Sequence, residues 1–233
     1  MSQGEAMGAF EKNSAFALQK SFKDQVYNII REAILSGQLK PGDRLREADF
    51  AKQMGISRGP IREAFALLAK EGLVKASPHK ETVVAELSHQ ETIEIFVPIR
   101  RLIEKYAANH AMKVMTEEDY AHLSSLLDSM KDACERGDVN ELTHLDISFH
   151  SYIVNRVEST NLSALWDIII VRIHPQILMR GIGIQEKAKG GAEEPLEPFG
   201  SLDKVEEEHR EYLSFLKNKD IEAIDRHLYS HIF

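Results

Sequence analysis

Apolar residues recur at helical spacing through the first part of the chain, in three segments separated by turn signals. Residues 22–34 carry the first apolar stripe, and a short amphipathic segment at 47–54 ends at Gly55. Ser57 then has the character of an N-cap, and Pro60 falls in the first turn of the next segment, where a missing N–H costs no helical hydrogen bond. The pattern predicts three helices, the third beginning near Ser57.

Two short runs rich in β-branched residues follow the third helix. Residues 73–76 and 82–85 are joined by turn-forming residues, which predicts a β-hairpin. Three helices followed by a hairpin form a winged helix-turn-helix. The third helix is then expected to present Arg58, Gly59 and Arg62 outward at its N-terminal turn, where arginine can donate to guanine or to phosphate in a major groove.

The rest of the chain reads as one helix after another. From Gln90 onward the breaks fall near residues 113–116, Gly137, Ser159 and 218–220, and no alternating strand pattern is found. We therefore predict a mainly α protein, in which an all-α helical bundle follows the winged helix-turn-helix. The glycines and prolines between Gly181 and Gly200 predict a loop.

The predicted organisation has three parts. Residues 1–18 form a tail, 19–88 the winged helix-turn-helix DNA-binding domain, and 89–233 the helical domain. Each of the two domains is of ordinary size for an independent folding unit.

Composition excludes several classes of protein. The 233 residues are 43% hydrophobic and 28% charged, which is typical of a globular chain rather than a disordered one. A single cysteine, Cys134, excludes a disulfide framework and a multi-cysteine zinc motif. No apolar run approaches the roughly 20 residues of a membrane span, and residues 1–16 lack the apolar core of a signal peptide. These features predict a cytoplasmic protein that does not associate with membranes.

Charge is distributed unevenly between the two predicted domains. The net charge is −8 overall, but residues 19–88 contain 12 Lys and Arg against 9 Asp and Glu, whereas residues 89–233 contain 16 against 26. Because backbone phosphates dominate affinity for nucleic acid, the first domain is the place where DNA would bind.

Histidines and one aspartate in the helical domain have a spacing that suits a metal. Asp146 and His150 are four residues apart, so both side chains leave one face of a helix. His209 precedes the break at 218–220, and a helical hairpin at that break brings it level with either His227 or His231. The hairpin geometry leaves the choice between those two open.

The first domain resembles a known family. Gly37-x-x-x-Pro41-Gly42-x-x-Leu45, together with the nearly continuous match from Gly55 to Val74, resembles the DNA-binding domain of GntR transcription regulators. The resemblance implies that Arg58 and Arg62 contact double-stranded operator DNA. Where the wing tip of the family usually carries glycine, this chain has Glu81. The complete set of candidate DNA-binding residues is Ser57, Arg58, Gly59, Arg62, His79 and Lys80.

The second domain resembles the FCD effector-binding domain of the FadR-type GntR subfamily. The motifs are Arg100-x-x-x-Glu104, Asp146-x-x-Phe149-His150, Asn161-Leu162, Glu208-His209-Arg210 and His231. In many members an Asp and three His bind a divalent metal, which implies Asp146, His150, His209 and His231 as ligands here. Nitrogen and oxygen ligands of this kind suit zinc, nickel or manganese alike.

The sequence allows two interpretations of the role of Arg100. Its helical phase with Glu104 places it inside the bundle, where a fixed guanidinium could pair with the carboxylate of an organic acid. The same spacing also fits an ordinary surface ion pair between Arg100 and Glu104.

Three functions follow from these features. The leading interpretation is a homodimeric transcription regulator, in the commoner case a repressor, that senses a small carboxylic acid at a metal-containing site. A metal-dependent enzyme in the helical domain is the alternative, since Asp and His around a metal can activate water. An architectural DNA-binding protein leaves the buried polar residues unexplained. The effector, the operator sequence and the regulated genes cannot be read from the sequence.

Overall fold

Two units make up the part of the chain that the computed structural model describes, residues 21–75, 81–86, 88–188 and 202–231. One unit ends at Ala85 and the other begins at Glu86, except that Leu35–Gly37 group with the second unit.

The first unit contains three helices and a small sheet. The helices are α1 (Phe22–Leu35), α2 (Glu47–Met54) and α3 (Arg58–Glu71). The strands are β1 (Arg44–Leu45), β2 (Val74–Lys75) and β3 (Thr82–Val84), which pair antiparallel in the order β1-β3-β2. Gly55 joins α2 to α3 at φ +68°, a left-handed conformation that favours glycine. The winged helix-turn-helix prediction is confirmed.

Strand β1 was absent from the sequence prediction. It has only two residues, of which Leu45 is buried and Arg44 is exposed, so there is too little alternation for a pattern to emerge. Pairing with β3, at Leu45↔Thr82 and Arg44↔Val83, fixes its position instead.

The second unit is a bundle of helices, as predicted. A short α4 (His89–Glu91) leads through a π-helical turn (Thr92–Phe96) into α5. The longer helices are α5 (Val97–Val114), α6 (Glu117–Arg136), α7 (Val139–Asn155), α8 (Thr160–Ala188), α9 (Asp203–Asn218) and α10 (Ile221–His231). Helix α5 contacts α7, α8, α9 and α10, which places its buried face at the centre of the bundle.

Local signals at the helix ends act as the sequence predicted. Thr116 and Asp119 form a reciprocal capping box at the start of α6, where each side chain binds the backbone N–H of the other residue. Gly137 ends α6 in the left-handed conformation. Lys219, at φ +59°, makes the turn between α9 and α10. The predicted breaks are therefore confirmed.

The loop predicted from Gly181 to Gly200 is wrong in its first part, because α8 continues to Ala188. Close packing explains the glycine there: a Cβ at Gly181 would lie 2.6 Å from Val139 Cγ1 on α7. The residue that looked like a helix breaker lets two helices approach each other. Residues 189–201 lie outside the described part of the chain. Within the part that is described, no helix is long and apolar enough to cross a membrane.

Candidate metal centre and DNA-binding surface

Helix α3 presents the predicted DNA-binding residues on the surface of the first unit. Ser57 is the N-cap in extended conformation, and its hydroxyl makes no capping hydrogen bond to the helix. Arg58 and Gly59 are exposed in the first turn. Arg62 is also exposed and donates two hydrogen bonds to Glu47, from Nε at 3.1 Å and from Nη2 at 2.9 Å. Glu47 begins α2, so this bidentate pair ties the two helices of the helix-turn-helix together.

The acidic wing residue lies between two arginines. Glu81 pairs with Arg44 Nη1 at 3.1 Å and with Arg46 Nε at 3.0 Å, and both arginine side chains remain largely exposed. The single negative charge at the wing is thus outnumbered by cations that the sequence analysis did not single out. His79 and Lys80 lie outside the described residues.

Four buried polar side chains from three helices meet in the second unit. Glu104 lies on α5, Asp146 and His150 lie on α7, and His209 lies on α9. One ligand atom from each of Asp146, His150 and His209 lies within 4.8 Å of the others. Among the described side chains, no other His, Cys, Asp or Glu joins this group. The structure thus brings together three of the four predicted metal ligands.

The fourth predicted ligand is His231, whose side chain lies outside the described set, although α10 extends to this residue. The rival candidate, His227, is buried on α10 but is not a member of the group. It packs instead on the ring of Tyr212, with ring centroids 5.7 Å apart.

Contacts of the Nδ1 atoms determine which ring nitrogen of each histidine faces the group. His150 Nδ1 lies 2.5 Å from Glu104 Oε2, and His209 Nδ1 lies 2.7 Å from the carbonyl oxygen of Val205. Because a carbonyl only accepts, His209 Nδ1 donates to Val205, while His150 Nδ1 is directed at the carboxylate of Glu104. The Nε2 atoms of the two rings are thereby left facing each other.

Three potential ligand atoms therefore converge. The two Nε2 atoms are 3.1 Å apart, and His209 Nε2 is 3.0 Å from Asp146 Oδ1. Ligand atoms about 2.1 Å from one metal are about 3.0 Å apart at a right angle and about 3.4 Å apart at the tetrahedral angle. The two shorter separations fit a single divalent ion, and the third, 3.8 Å between His150 Nε2 and Asp146 Oδ1, corresponds to a wider angle at the same ion.

Arg100 is buried beside the group and pairs with both acids. Its Nε donates to Glu104 Oε1 at 2.6 Å, and its Nη2 lies 3.8 Å from Asp146 Oδ2. The guanidinium also lies 5.9 Å from the centre of the Trp166 ring. The sequence allowed either an Arg100 inside the bundle or a surface ion pair between Arg100 and Glu104. The structure has the ion pair, and the pair is buried in the bundle.

Burial and charge set the protonation states of this cluster. Burial raises the pKa of Glu104, but His150 and Arg100 outweigh that effect and hold it at about 2. Burial likewise opposes ionisation of Asp146, yet the hydrogen bond from His209 and the charge of Arg100 lower its pKa. Burial lowers the pKa of His150, so its ring is neutral. At neutral pH the cluster holds two carboxylates, one guanidinium and a neutral His150.

Tyr212 on α9 completes the lining and was not singled out by the sequence analysis. Its ring is fully buried and lies 5.8 Å from that of His150. Burial and the charge of Glu104 raise the pKa of Tyr212, so its hydroxyl stays protonated. Nothing in the sequence distinguishes its hydroxyl as part of a polar site.

Comparison with known protein families covers both units. Residues 22–84 match the gntR family of bacterial regulatory proteins, and residues 95–233 match the FCD domain. The chain belongs to the GntR family of transcription regulators, with an FCD domain. This assignment confirms the regulator interpretation over the enzyme alternative. FCD domains commonly bind metal, in keeping with the group of Asp146, His150 and His209.

Known GntR proteins resemble this chain over most of its length. It is 28% identical over 208 residues to the uncharacterized regulator YdhC of Bacillus subtilis, covering 89% of this chain and 86% of YdhC. It is 25% identical to the gluconate operon repressor of the same species, covering 82% and 74% of the two chains. The solved structure of Escherichia coli McbR/YncC superposes with a TM-score of 0.71 at 27% identity, covering 92% and 94%.

Proposed function

We propose that this GntR protein is a repressor whose FCD domain holds one divalent metal ion and senses a small organic acid there. The observation that carries the proposal is the convergence of His150 Nε2, His209 Nε2 and Asp146 Oδ1, with the other nitrogen of each ring already engaged. A divalent ion among these three atoms would take one lone pair from each, with both imidazoles in the neutral form.

The proposed ligands are Asp146, His150, His209 and His231. Position supports His231, because α10 folds back along α9 and ends at this residue, while the side chain of His227 packs on Tyr212. Imidazole and carboxylate ligands suit zinc, nickel or manganese. Four protein ligands leave a further coordination position for a small molecule when the metal is five- or six-coordinate.

Charge balance favours an acid as the small molecule. Arg100 neutralises one of the two carboxylates, Glu104 and Asp146, so the buried cluster carries one negative charge in excess. A divalent ion would change this to one positive charge in excess. A buried positive charge requires a partner, and an ionised carboxylate near Arg100 would supply it.

The DNA-binding half of the proposal rests on α3 and the wing. Ser57, Arg58, Gly59 and Arg62 lie at the start of the predicted recognition helix, where direct contact with bases is possible. His79 and Lys80 remain candidate wing contacts. Two of the known relatives are named as operon repressors, one for gluconate and a probable one for D-xylose utilization. These names favour repression as the mode of regulation here. We propose that the protein acts in the cytoplasm.

The proposal includes a homodimer that binds a two-fold symmetric operator. One winged helix makes few base contacts, so genomic specificity favours two. Exposed apolar side chains on adjacent helices of the FCD domain offer a surface for this contact. They are Leu102 and Tyr106 on α5, with exposures of 70% and 59%, and Leu165 and Ile168 on α8, with 44% and 57%.

The affinity of the protein for operator DNA, with and without an acid, tests the proposed function as a whole. An operator would be selected from a random-sequence pool with the metal-loaded protein, and its affinity measured with and without D-gluconate, acetate and citrate. We expect one or more acids to change operator affinity at least fivefold, and metal removal to abolish the response. Operator affinity that none of the acids changes would contradict acid sensing, and a protein that purifies and reloads without stoichiometric metal would contradict the metal site.

A further inference from the structure

Two arginines and one glutamate lie side by side on the exposed face of the small sheet in the first unit. Leu45 is buried and its neighbours Arg44 and Arg46 are exposed, so both arginines lie on the outer face. The pairing of Leu45 with Thr82 places Arg46 opposite Glu81, which precedes β3. The Glu81 carboxylate lies 3.1 Å from Arg44 Nη1 and 3.0 Å from Arg46 Nε, so it holds two like charges close together.

These ion pairs are not needed to hold the sheet together. The side chains of Arg44 and Arg46 are 69% and 59% exposed, and pairs so exposed contribute little to folding stability. Leu45 and Val84 supply the buried side of the sheet instead. In contacts to described residues, each guanidinium uses one nitrogen for Glu81, which leaves most of its five N–H donors open to another acceptor.

The position of the two arginines indicates which acceptor they would meet. Arg46 directly precedes Glu47, the first residue of α2, and Glu47 accepts the bidentate pair from Arg62 near the start of α3. In a helix-turn-helix the second helix enters the major groove while the first crosses the phosphate backbone. Arg44 and Arg46 therefore lie where the start of α2 would approach the backbone, next to the predicted recognition helix.

We propose that Arg44 and Arg46 bind phosphates of the operator backbone, with Glu81 as the residue that positions both guanidinium groups. The inference rests on the DNA-binding half of the proposed function and adds three residues to it. Phosphate contacts fix the orientation of a protein on DNA but carry no sequence information, so this role differs from the base contacts open to Arg58 and Arg62.

The first test compares the full-length protein with Arg44→Gln and Arg46→Gln. Affinity is measured by fluorescence anisotropy for a selected operator and for a scrambled duplex of the same length. Loss of one phosphate contact should weaken binding roughly fivefold at physiological salt, by the same factor for both duplexes. The melting temperatures should stay near that of the wild type, because both side chains are exposed.

Two further variants control for charge. Arg46→Lys keeps a positive charge that a phosphate attracts, so it should restore much of the affinity lost in Arg46→Gln. Lys70→Gln removes one positive charge from the exposed far end of α3 and should leave both affinities unchanged.

A second test locates the contacted phosphates on the DNA. Operators are prepared in which a single phosphate is replaced by an uncharged methylphosphonate, one position at a time. At the phosphate that Arg46 contacts, the replacement should weaken binding of the wild type but have no further effect on Arg46→Gln. Arg44→Gln should show the same behaviour at a neighbouring phosphate.

A double-mutant cycle tests the positioning role of Glu81. If the carboxylate holds Arg46 in place, Arg46→Gln should cost less operator affinity in a Glu81→Gln background than in the wild type. A larger cost in that background would mean that Glu81 competes with the phosphate, and would overturn the positioning role.

The remaining outcomes separate this inference from the proposed function. Unchanged affinity in Arg44→Gln and Arg46→Gln would overturn the phosphate contacts and leave those of Arg58 and Arg62 intact. A loss confined to the selected operator, or an equal loss in Lys70→Gln, would also overturn them. A wild-type protein that binds neither duplex would overturn both this inference and the DNA-binding function.

Discussion

Glu104 Oε2 on α5 lies 2.5 Å from His150 Nδ1 on α7, in a contact buried within the bundle. The contact sets the direction in which Nε2 of His150 points. Glu104 is held in turn by Arg100, so a residue expected to contact the effector and a residue expected to bind metal share one carboxylate. We therefore expect binding at either position to affect the other through Glu104.

The first prediction concerns that shared carboxylate. Glu104→Gln retains an acceptor for His150 but loses the charge, so metal affinity should fall by about 10- to 100-fold, as is typical of such partners of metal-bound histidine. Stability should also fall, by about 3 kcal/mol, because the buried Arg100 loses its neutralising partner. Competition with a chromophoric chelator measures the affinity. Glu141→Gln, a change at an exposed carboxylate paired with Arg136, should alter neither quantity.

The second prediction concerns the choice between two histidines of α10. His231→Ala should lose metal readily in dialysis against a weak chelator, whereas His227→Ala should retain it, because His227 lies outside the group of converging ligand atoms. The metal content of both variants, measured by mass spectrometry, distinguishes the two candidate ligands. Loss of metal from His227→Ala alone would transfer the fourth ligand to that residue.

The third prediction concerns recognition helix α3. Arg58→Ala and Arg62→Ala should each weaken operator binding by about 1–3 kcal/mol, while the melting temperature changes little because both side chains are exposed. Fluorescence anisotropy with a selected operator measures the loss. Lys70→Ala, at the opposite end of the same helix, removes a positive charge without removing a proposed contact. Equal losses in Lys70→Ala and the two arginine variants would indicate a general charge effect only.

The fourth prediction is a pH dependence of stability that arises from His227. Burial, with the nearby charge of His209, lowers the pKa of His227 from its ordinary 6.5 to about 4. Between these values the unfolded chain binds a proton that the folded chain does not, so the free energy of unfolding falls as pH decreases. From pH 7 to pH 5 this loss amounts to about 2 kcal/mol.

Urea unfolding of the metal-free protein at the two pH values measures this effect without a contribution from bound metal. His227→Phe keeps the aromatic contact with Tyr212 and should reduce the difference by this amount, while His150, whose pKa burial also lowers, contributes what remains. An undiminished pH dependence in the variant would assign the effect to other groups.

The fifth prediction concerns the proposed dimer surface. Leu102→Glu places a charge among exposed apolar side chains of α5 and α8, and should shift the protein toward monomer in sedimentation experiments at micromolar concentration. Ile29→Glu is the control, because Ile29 is 55% exposed on α1 in the other unit. A wild-type protein that is monomeric under the same conditions would contradict the dimer itself.

Features encoded by neighbouring residues could be predicted from the sequence. The ends of α2 and α3, the capping box of Thr116 and Asp119, and the shared face of Asp146 and His150 all depend on residues within four positions of each other. Local hydrogen bonds and helical phase determine such features.

Features that depend on distant parts of the chain could not be predicted in the same way. Glu104 and His150 are far apart in sequence and meet only because α5 and α7 pack together. Strand β1 exists because β3 pairs with it, and Gly181 reads as a turn until Val139 is placed beside it. Glycine occurs both where a chain turns and where two helices pack closely, and only the packed structure distinguishes these two uses.

The pairing of Arg62 with Glu47 has a consequence for how salt affects operator binding. Proteins gain affinity for DNA partly because each neutralised phosphate releases condensed counterions. If Arg62 turns from Glu47 to the DNA, it leaves a carboxylate that attracts a cation from solution, which offsets part of that release. The slope of affinity against salt concentration should then be shallower than the number of arginine contacts implies, and Glu47→Gln should make it steeper.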